Sequence, residues 1–162
     1  MHTCLPPTDA LAGWLDPNPS VEGNFGHLLL VQQSEIDDDL INALRPYFES
    51  AHLDARKYFH EQIGISLHPD AAAGPPTVNY PNCLPSKTRR GLFGEVIAGL
   101  VTEAYQDDFV GGHEWRVPIF LFRQHDDVEK YLWRLRYDPA QKREVYGRHG
   151  SDFIGIALDG EG

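Results

Sequence analysis

Cysteine is scarce in this sequence, and the spacing of the two that occur excludes a cross-linked or zinc-ribbon fold. Cys4 and Cys83 are far apart along the chain, and no CxxC pair is present. Small disulfide-stabilised domains and zinc ribbons need several cysteines at short, regular spacings. We therefore expect both residues to be free thiols.

Long apolar runs are also absent. No stretch approaches the roughly 18 uncharged apolar residues that a membrane-spanning helix needs. The start, MHTCLPPTDA, contains neither the basic nor the apolar region of a secretory signal. A length of 162 residues, with 41% hydrophobic and 11% aromatic residues, fits one packed domain. We expect a soluble, cytoplasmic protein with no membrane partner.

Basic residues are few in the first half of the chain. Residues 1–86 carry three Lys and Arg against eleven acids, whereas residues 87–162 carry eleven against thirteen, and the overall charge is −10. This balance argues against nucleic-acid binding over the whole surface. The later basic residues predict a local nucleic-acid-binding strip of Lys87, Arg89, Arg90, Arg136, Lys142, Arg143 and Arg148. Solvated helix faces explain the same charges, so both interpretations stay open.

Residues 1–24 are rich in proline, asparagine, aspartate and glycine. We predict an irregular N-terminal arm there, with Trp14 and Leu15 as its anchors. The run FGHLLLVQQ, residues 25–33, follows the arm and predicts a short buried strand.

The acidic part of the chain, residues 25–86, continues with two predicted helices and a loop. Ser34 is the predicted N-cap of the first helix, whose first turn carries acids where the helix dipole favours them. A second helix is predicted over residues 51–63. The proline-rich stretch 66–86 predicts a long loop.

Residues 88–105 have the most regular helical pattern in the third part of the chain, residues 87–162. The predicted buried stripe consists of Leu92, Phe93, Val96, Ile97, Leu100 and Val101. Another face places Glu95 among the small residues Gly91, Ala98, Gly99 and Thr102. Glycine inside a helix costs about 1 kcal/mol relative to alanine, which indicates that backbone or a ligand approaches this face closely. A tight helix crossing in which Glu95 pairs with Arg90 explains the pattern equally well.

Two strands are predicted after this helix, over residues 115–123 and 152–158. The first is apolar on both faces, and Pro118 predicts that it lies at a sheet edge or a strand start. A helix is predicted over residues 125–135. Asp152 opens the second strand.

Glu95 on a helix and Asp152 at the start of a strand form a candidate metal site. Phosphodiester hydrolysis needs a hard cation that neutralises the developing charge and activates water. Mg²⁺ is typically held by one or two carboxylates together with water and substrate phosphate. Both acids are therefore candidate catalytic residues and candidate ligands of Mg²⁺ or Mn²⁺.

The runs GLFGEVIAGLV, VPIFLFR and GRHGSDFIGIALDGEG, within residues 88–162, resemble the first half of a PD-(D/E)xK-type nuclease domain. This resemblance implies an α/β (α+β) fold in which helices flank a small mixed sheet with a restriction-endonuclease-like core. It implies that Glu95 and Asp152 bind metal beside an acid and a lysine on a further strand. The order of elements is similar to nuclease components of bacterial anti-phage systems of the Hachiman type, which implies a nucleic-acid substrate.

The (D/E)xK strand is missing from this sequence. The dipeptide Asp159-Gly160 predicts a hairpin turn, so the missing strand would follow Gly162. We therefore expect an incomplete core and expect the chain by itself to be inactive as a nuclease.

Two other function classes are open. A non-enzymatic domain that docks a helicase or another defence-system subunit would use the acidic first half and the proline-rich loop as its surface. A transition-metal site would use His113, Glu114, His125, Asp126 and His149, although no HExxH spacing occurs. Neither GxxxxGK[ST] nor GxGxxG is present, so nucleotide binding by those loops is not predicted.

Overall fold

Helices and short antiparallel strands make up the part of the chain that the computed structural model describes, residues 2–64, 79–109, 115–122, 133, 137 and 153–157. In chain order the elements are α1 (Thr8–Trp14), β1 (Leu15–Glu22), β2 (Phe25–Gln32), α2 (Asp38–Ile63), α3 (Ser86–Ala104), α4 (Gln106–Phe109), β3 (Trp115–Phe120) and β4 (Phe153–Ala157). The fold is of the mixed α+β class.

The strands of the described residues form two separate antiparallel pairs, β1–β2 and β3–β4. The prediction of one small mixed sheet is wrong for these residues, because neither pair contains parallel neighbours. The restriction-endonuclease-like core stays a prediction.

Regular structure occupies the N-terminal segment, where an irregular arm is predicted. Leu11 of α1 is buried, and β1 follows directly. Pro17 and Pro19 are tolerated in β1 because this strand pairs with β2 alone among the described residues, so one of its edges needs no amide donors. Leu15 is buried and Trp14 packs against the core, which confirms both anchors.

β2 matches the predicted strand in position but not in burial. Leu30 packs against the core, whereas Leu29 and Val31 on the opposite face are 63% and 44% exposed. Successive side chains of a strand point to opposite faces, so this two-stranded sheet presents one face to solvent.

One 26-residue helix, α2, replaces the two helices predicted for this region. Its N-cap is Asp37, whose carboxylate accepts a backbone N–H at 2.8 Å, rather than the predicted Ser34. The acids of its first turn are Asp38 and Asp39, as the helix dipole favours. Pro46 lies within the helix without ending it. The helix ends at Ile63 and is capped by Gly64, whose φ of 67° suits a residue without a Cβ.

α3 confirms the helix predicted over residues 88–105, and its packing positions the candidate site. Leu92, Val96 and Leu100 are buried as predicted, but Phe93 is 56% exposed. The buried stripe meets α1, α2 and β3 in a core of Leu11, Leu15, Tyr47, Ala51, Ala55, Phe59, Tyr80, Leu84, Leu92, Val96, Leu100, Val117, Phe120 and Phe122.

β3 and β4 agree with the two strands predicted in the last third of the chain. The N-terminal segment reaches the edge of β3, where the His2 amide donates to the Pro118 carbonyl at 2.8 Å. Among the described strands β3 pairs with β4 alone, which agrees with the edge position predicted for Pro118. The predicted helix over residues 125–135, apart from Trp133, and the turn at Asp159-Gly160 lie outside the described residues, as do residues 66–78 of the proline-rich stretch.

Two simpler expectations concern the cysteines and membrane spans. Cys4 and Cys83 are free thiols, as predicted. Within the described ranges, the helices lack the combination of length and apolar character that crossing a membrane requires.

Candidate functional site

Glu95 lies in the middle of α3 on the face that packs into the protein. Its side chain is 4% exposed, and its neighbours on this face are Leu92, Val96 and Gly99. A charged carboxylate is costly to bury unless it is paired or coordinates a metal. Of the small residues that the sequence groups with Glu95, Gly99 is buried, Gly91 and Thr102 are half-buried and Ala98 is exposed.

Gly99 explains why small residues occur on this face. A Cβ at this position would lie 2.7 Å from Cε1 and Cζ of the Phe120 ring in β3. The absence of a side chain thus allows α3 to approach the strand pair closely. Phe120 in turn is the register partner of Phe153, the first residue of β4.

Asp152 immediately precedes β4 in the sequence and lies outside the described residues. The structure therefore describes one of the two predicted metal ligands, Glu95. In the described part of the chain no group of three or more His, Cys, Asp or Glu side chains could hold a metal ion. The five residues of the alternative transition-metal site, His113, Glu114, His125, Asp126 and His149, also lie outside it.

Three of the predicted nucleic-acid-binding residues, Lys87, Arg89 and Arg90, lie near the start of α3. That first turn contains no acid, and the N-cap residue Pro85 makes no side-chain cap. Arg90 is exposed and faces a cleft rather than the buried face that carries Glu95. The other four predicted residues, Arg136, Lys142, Arg143 and Arg148, lie outside the described part of the chain.

The cleft beside these arginines has a volume of about 390 Å³ and separates α2 from the start of α3. It is lined by Phe48, His52, Pro81, Asn82, Ser86, Arg89, Arg90, Leu92 and Phe93. Arg89 Nη1 donates to Asn82 Oδ1 at 3.3 Å, which orients one of the two guanidinium groups. The arrangement combines fixed positive charge with an aromatic wall.

His52 forms part of this cleft and was not singled out by the sequence. Its ring is buried, shares a 2.8 Å hydrogen bond between Nδ1 and the Tyr80 hydroxyl, and stacks on Phe122 at 4.3 Å. Burial, with a smaller contribution from nearby Arg56, lowers the pKa of His52 to about 4. The imidazole is therefore neutral at pH 7.

A second buried polar cluster was also missed by sequence reasoning. The Tyr47 hydroxyl donates to Glu103 Oε2 at 3.0 Å, and Arg116 Nη1 donates to Glu103 Oε1 at 3.2 Å. Burial and the adjacent Glu103 carboxylate raise the pKa of Tyr47. The available signal was spacing, because Glu103 follows Gly99 by four residues and so shares the buried face of α3.

Glu103 and Arg116 line a separate cleft of about 440 Å³ between the N-terminal segment and β3. His2 lines it as well and is 8% exposed, and its pKa is lowered to about 4, chiefly by burial. This cluster is an ion pair with one hydrogen-bonded phenol, which is sufficient to explain its burial.

Comparison with protein-family models, curated proteins and solved structures finds no match to this chain. The functional interpretation therefore depends on the geometry of the chain's own residues.

Proposed function

We propose that this chain supplies the metal-binding acids Glu95 and Asp152 of a nuclease that hydrolyses phosphodiester bonds, with anti-phage defence as its setting. The observation that carries the proposal is the burial of Glu95 on the face of α3 that packs against β3. β3 pairs with β4, and Asp152 directly precedes β4 in the sequence. In the nuclease domains that the sequence resembles, a helix acid and a strand acid bind the metal beside an acid and a lysine on a further strand.

The chemistry of Glu95 fits Mg²⁺ or Mn²⁺. Both are hard cations that prefer carboxylate oxygen, and one or two protein carboxylates are enough when water and phosphate complete the coordination. Glu95 and Asp152 would hold the ion. A bound cation would neutralise the charge that develops on the phosphoryl group and lower the pKa of a bound water.

The surrounding residues have separate tasks in this proposal. The contact between Gly99 and Phe120 holds α3 at a fixed distance from the strand pair, so that Glu95 is positioned by packing. Lys87, Arg89 and Arg90 lie near the start of the same helix, away from the face of Glu95, and would attract the phosphate backbone to the protein surface.

Metal binding by variants tests this proposal directly. Binding of Mn²⁺ is followed by electron paramagnetic resonance for the wild type and for Glu95→Gln and Asp152→Asn, which change charge with little change of shape. Each substitution should weaken Mn²⁺ binding strongly, and both should abolish Mg²⁺-dependent cleavage of labelled DNA and RNA by any protein in which this chain is part of a complete nuclease core. Glu61→Gln, which removes an exposed acid of α2, is the matched control.

Two results would contradict the assignment. Unchanged Mn²⁺ binding in both variants would contradict a metal site at Glu95 and Asp152. Cleavage that survives both substitutions would show that other residues carry the reaction.

A second candidate function, docking of a helicase or another protein partner, is favoured by an apolar groove. The groove, of about 250 Å³, lies on α2 and α3 and is lined by Trp14, Ile36, Leu40, Ile41, Leu44, Arg45, Phe48, Phe93 and Ile97. Ile36, Ile41 and Phe93 are 58%, 44% and 56% exposed. Exposed apolar surface of this kind is typical of interaction sites.

Charge defines the partner that would fit this groove. Glu35, Asp38 and Asp39 are exposed beside Ile36 at the start of α2, so the complementary occupant is an amphipathic helix with basic flanks. A Leu/Lys helix of about 18 residues should bind, and a Leu/Glu helix of the same length should not. Ile36→Ser with Ile41→Ser should remove the binding. Equal binding of the two peptides, or binding unaffected by the serine variants, would contradict this function.

A further inference from the structure

The cleft between α2 and the start of α3 combines the features of a site for a phosphorylated aromatic ligand. Its volume of about 390 Å³ lies within the range of roughly 300–1,000 Å³ that is typical of small-molecule sites. Glu95 is not among the residues that line it. The cleft is therefore distinct from the metal site proposed above.

The polar wall of the cleft can bind an anion. Arg89 uses Nη1 to contact Asn82, while its Nε is buried and has no hydrogen-bond partner within the described part of the chain. Arg90 is exposed beside it. Guanidinium groups favour phosphate because their N–H donors match the spacing of its oxygens. A phosphate in the cleft would contact the exposed Arg90 guanidinium and lie beside the guanidinium of Arg89.

The part of α2 that lines the cleft, from Phe48 to His52, does not neutralise the positive charge of Arg89 and Arg90. Its one acid, Glu49, forms an ion pair with Arg56 that lowers the pKa of the Glu49 carboxyl. The first turn of α3 contributes no acid. The arginine pair therefore has a local positive field although the whole chain is acidic.

The apolar wall of the cleft presents an aromatic surface. Phe93 is 56% exposed and stacks on Phe48, with ring centroids 5.2 Å apart and an interplanar angle of 28°. One face of the Phe93 ring packs on Phe48, and the side chain lines the cleft where a planar ligand ring would meet it. Base stacking on aromatic side chains of this kind is sequence-tolerant, because every base has a π-face.

We propose that this cleft binds a nucleotide, with its phosphate on Arg89 and Arg90 and its base against Phe93. The nucleotide can come from solution or from a nucleic-acid strand, because the cleft recognises chemistry that both share. This site needs no glycine-rich loop, and it does not depend on the metal site that includes Glu95.

The test is calorimetric titration of the full chain with 5′-AMP, adenosine and inorganic phosphate in the presence of a metal chelator. AMP should bind saturably, and more tightly than adenosine or phosphate. Arg90→Gln should weaken the binding of AMP and of phosphate about tenfold, because a charge-assisted hydrogen bond is lost. Phe93→Leu should weaken the binding of AMP about fivefold and leave the affinity for phosphate unchanged.

Lys57→Gln is the matched control, since it removes one exposed positive charge from α2 outside the cleft. Its AMP affinity should equal that of the wild type. Because Arg90 and Phe93 are exposed, both variants should keep the wild-type circular dichroism spectrum and melting temperature.

The same titration with a short oligo-dA strand separates the two sources of ligand. Tighter binding with a steeper salt dependence assigns the site to a strand, and AMP-like affinity assigns it to a free nucleotide. The proposal is overturned if AMP does not bind saturably, if adenosine binds as tightly as AMP, or if Arg89→Gln with Arg90→Gln leaves binding unchanged. The chelator removes divalent ions, so this experiment and the Mn²⁺ measurement can fail independently.

Discussion

Gly99 of α3 lies directly against the ring of Phe120 in β3, so that a Cβ at this position would be 2.7 Å from two ring carbons. This contact joins the helix that carries Glu95 to the strand that pairs with β4. The distance is shorter than side-chain packing tolerates, and the Phe120 ring is itself buried. Close approach at this point therefore requires glycine.

Gly99→Ala should destabilise the protein, and Gly94→Ala is its matched control. Alanine at position 99 should lower the free energy of unfolding by about 1–3 kcal/mol, because the core must shift to admit the methyl group. A Cβ at Gly94 would meet nothing within 4 Å, so that variant should gain about 0.5–1 kcal/mol from helix propensity. Urea unfolding of both variants measures the difference. Equal stabilisation by the two would exclude the close contact.

Tyr47→Phe should cost about 1–3 kcal/mol of stability, because it leaves Glu103 Oε2 buried without its donor. Tyr137→Phe removes the same hydroxyl from a residue that is 77% exposed, and it should be nearly neutral. Thermal unfolding monitored by circular dichroism compares the two variants. An unchanged melting temperature in Tyr47→Phe would mean that the hydrogen bond to Glu103 contributes no net stability.

The helix cap of α2 offers a third comparison. Asp37→Ala should lower the free energy of unfolding by about 1 kcal/mol, since the Asp37 carboxylate accepts a backbone N–H at 2.8 Å. Ser34→Ala should have a smaller effect, because its hydroxyl bonds to an exposed carbonyl of Gly13 rather than to the helix. Chemical denaturation of the two variants compares how much Asp37 and Ser34 each contribute to the free energy of unfolding. A larger loss for Ser34→Ala would favour the cap predicted from the sequence alone.

Acidification should destabilise the protein through His52. Its pKa is about 4 in the folded state, against an ordinary value of 6.5 for histidine in an unfolded chain, so the unfolded state binds more protons between these values. Stability is therefore fully present above pH 6.5 and decreases as the pH falls towards 4. The expected loss from this residue is about 2 kcal/mol at about pH 5 relative to about pH 7.

A pH series of urea unfolding for the wild type and His52→Gln isolates this effect. The variant should have a shallower slope over the same pH interval. His2 has a pKa shifted in the same direction, so some pH dependence should persist in the variant. Parallel slopes for the two proteins would show that His52 is not neutral in the folded state.

Local patterns in the sequence were sufficient to predict α3, β2, β3 and β4. Apolar residues at a spacing of about 3.6 or of about 2 mark these elements, and this periodicity is a property of neighbouring residues. The same spacing placed Glu95 among small residues. The prolines of β1 were misleading, because an edge strand tolerates proline and local composition does not reveal which strands are edges.

By itself, the sequence determined the types of α3, β2, β3 and β4, the free cysteines and the acid that lies on α3. Tertiary structure alone decided that Glu95 is buried, that Tyr47 and Arg116 meet at Glu103, and that Phe48 stacks on Phe93 beside two arginines. The partners in these contacts are separated by 13 to 56 positions in the chain. Backbone periodicity is local, whereas such contacts depend on how whole elements pack, which is why only the fold brings the residues of these sites together.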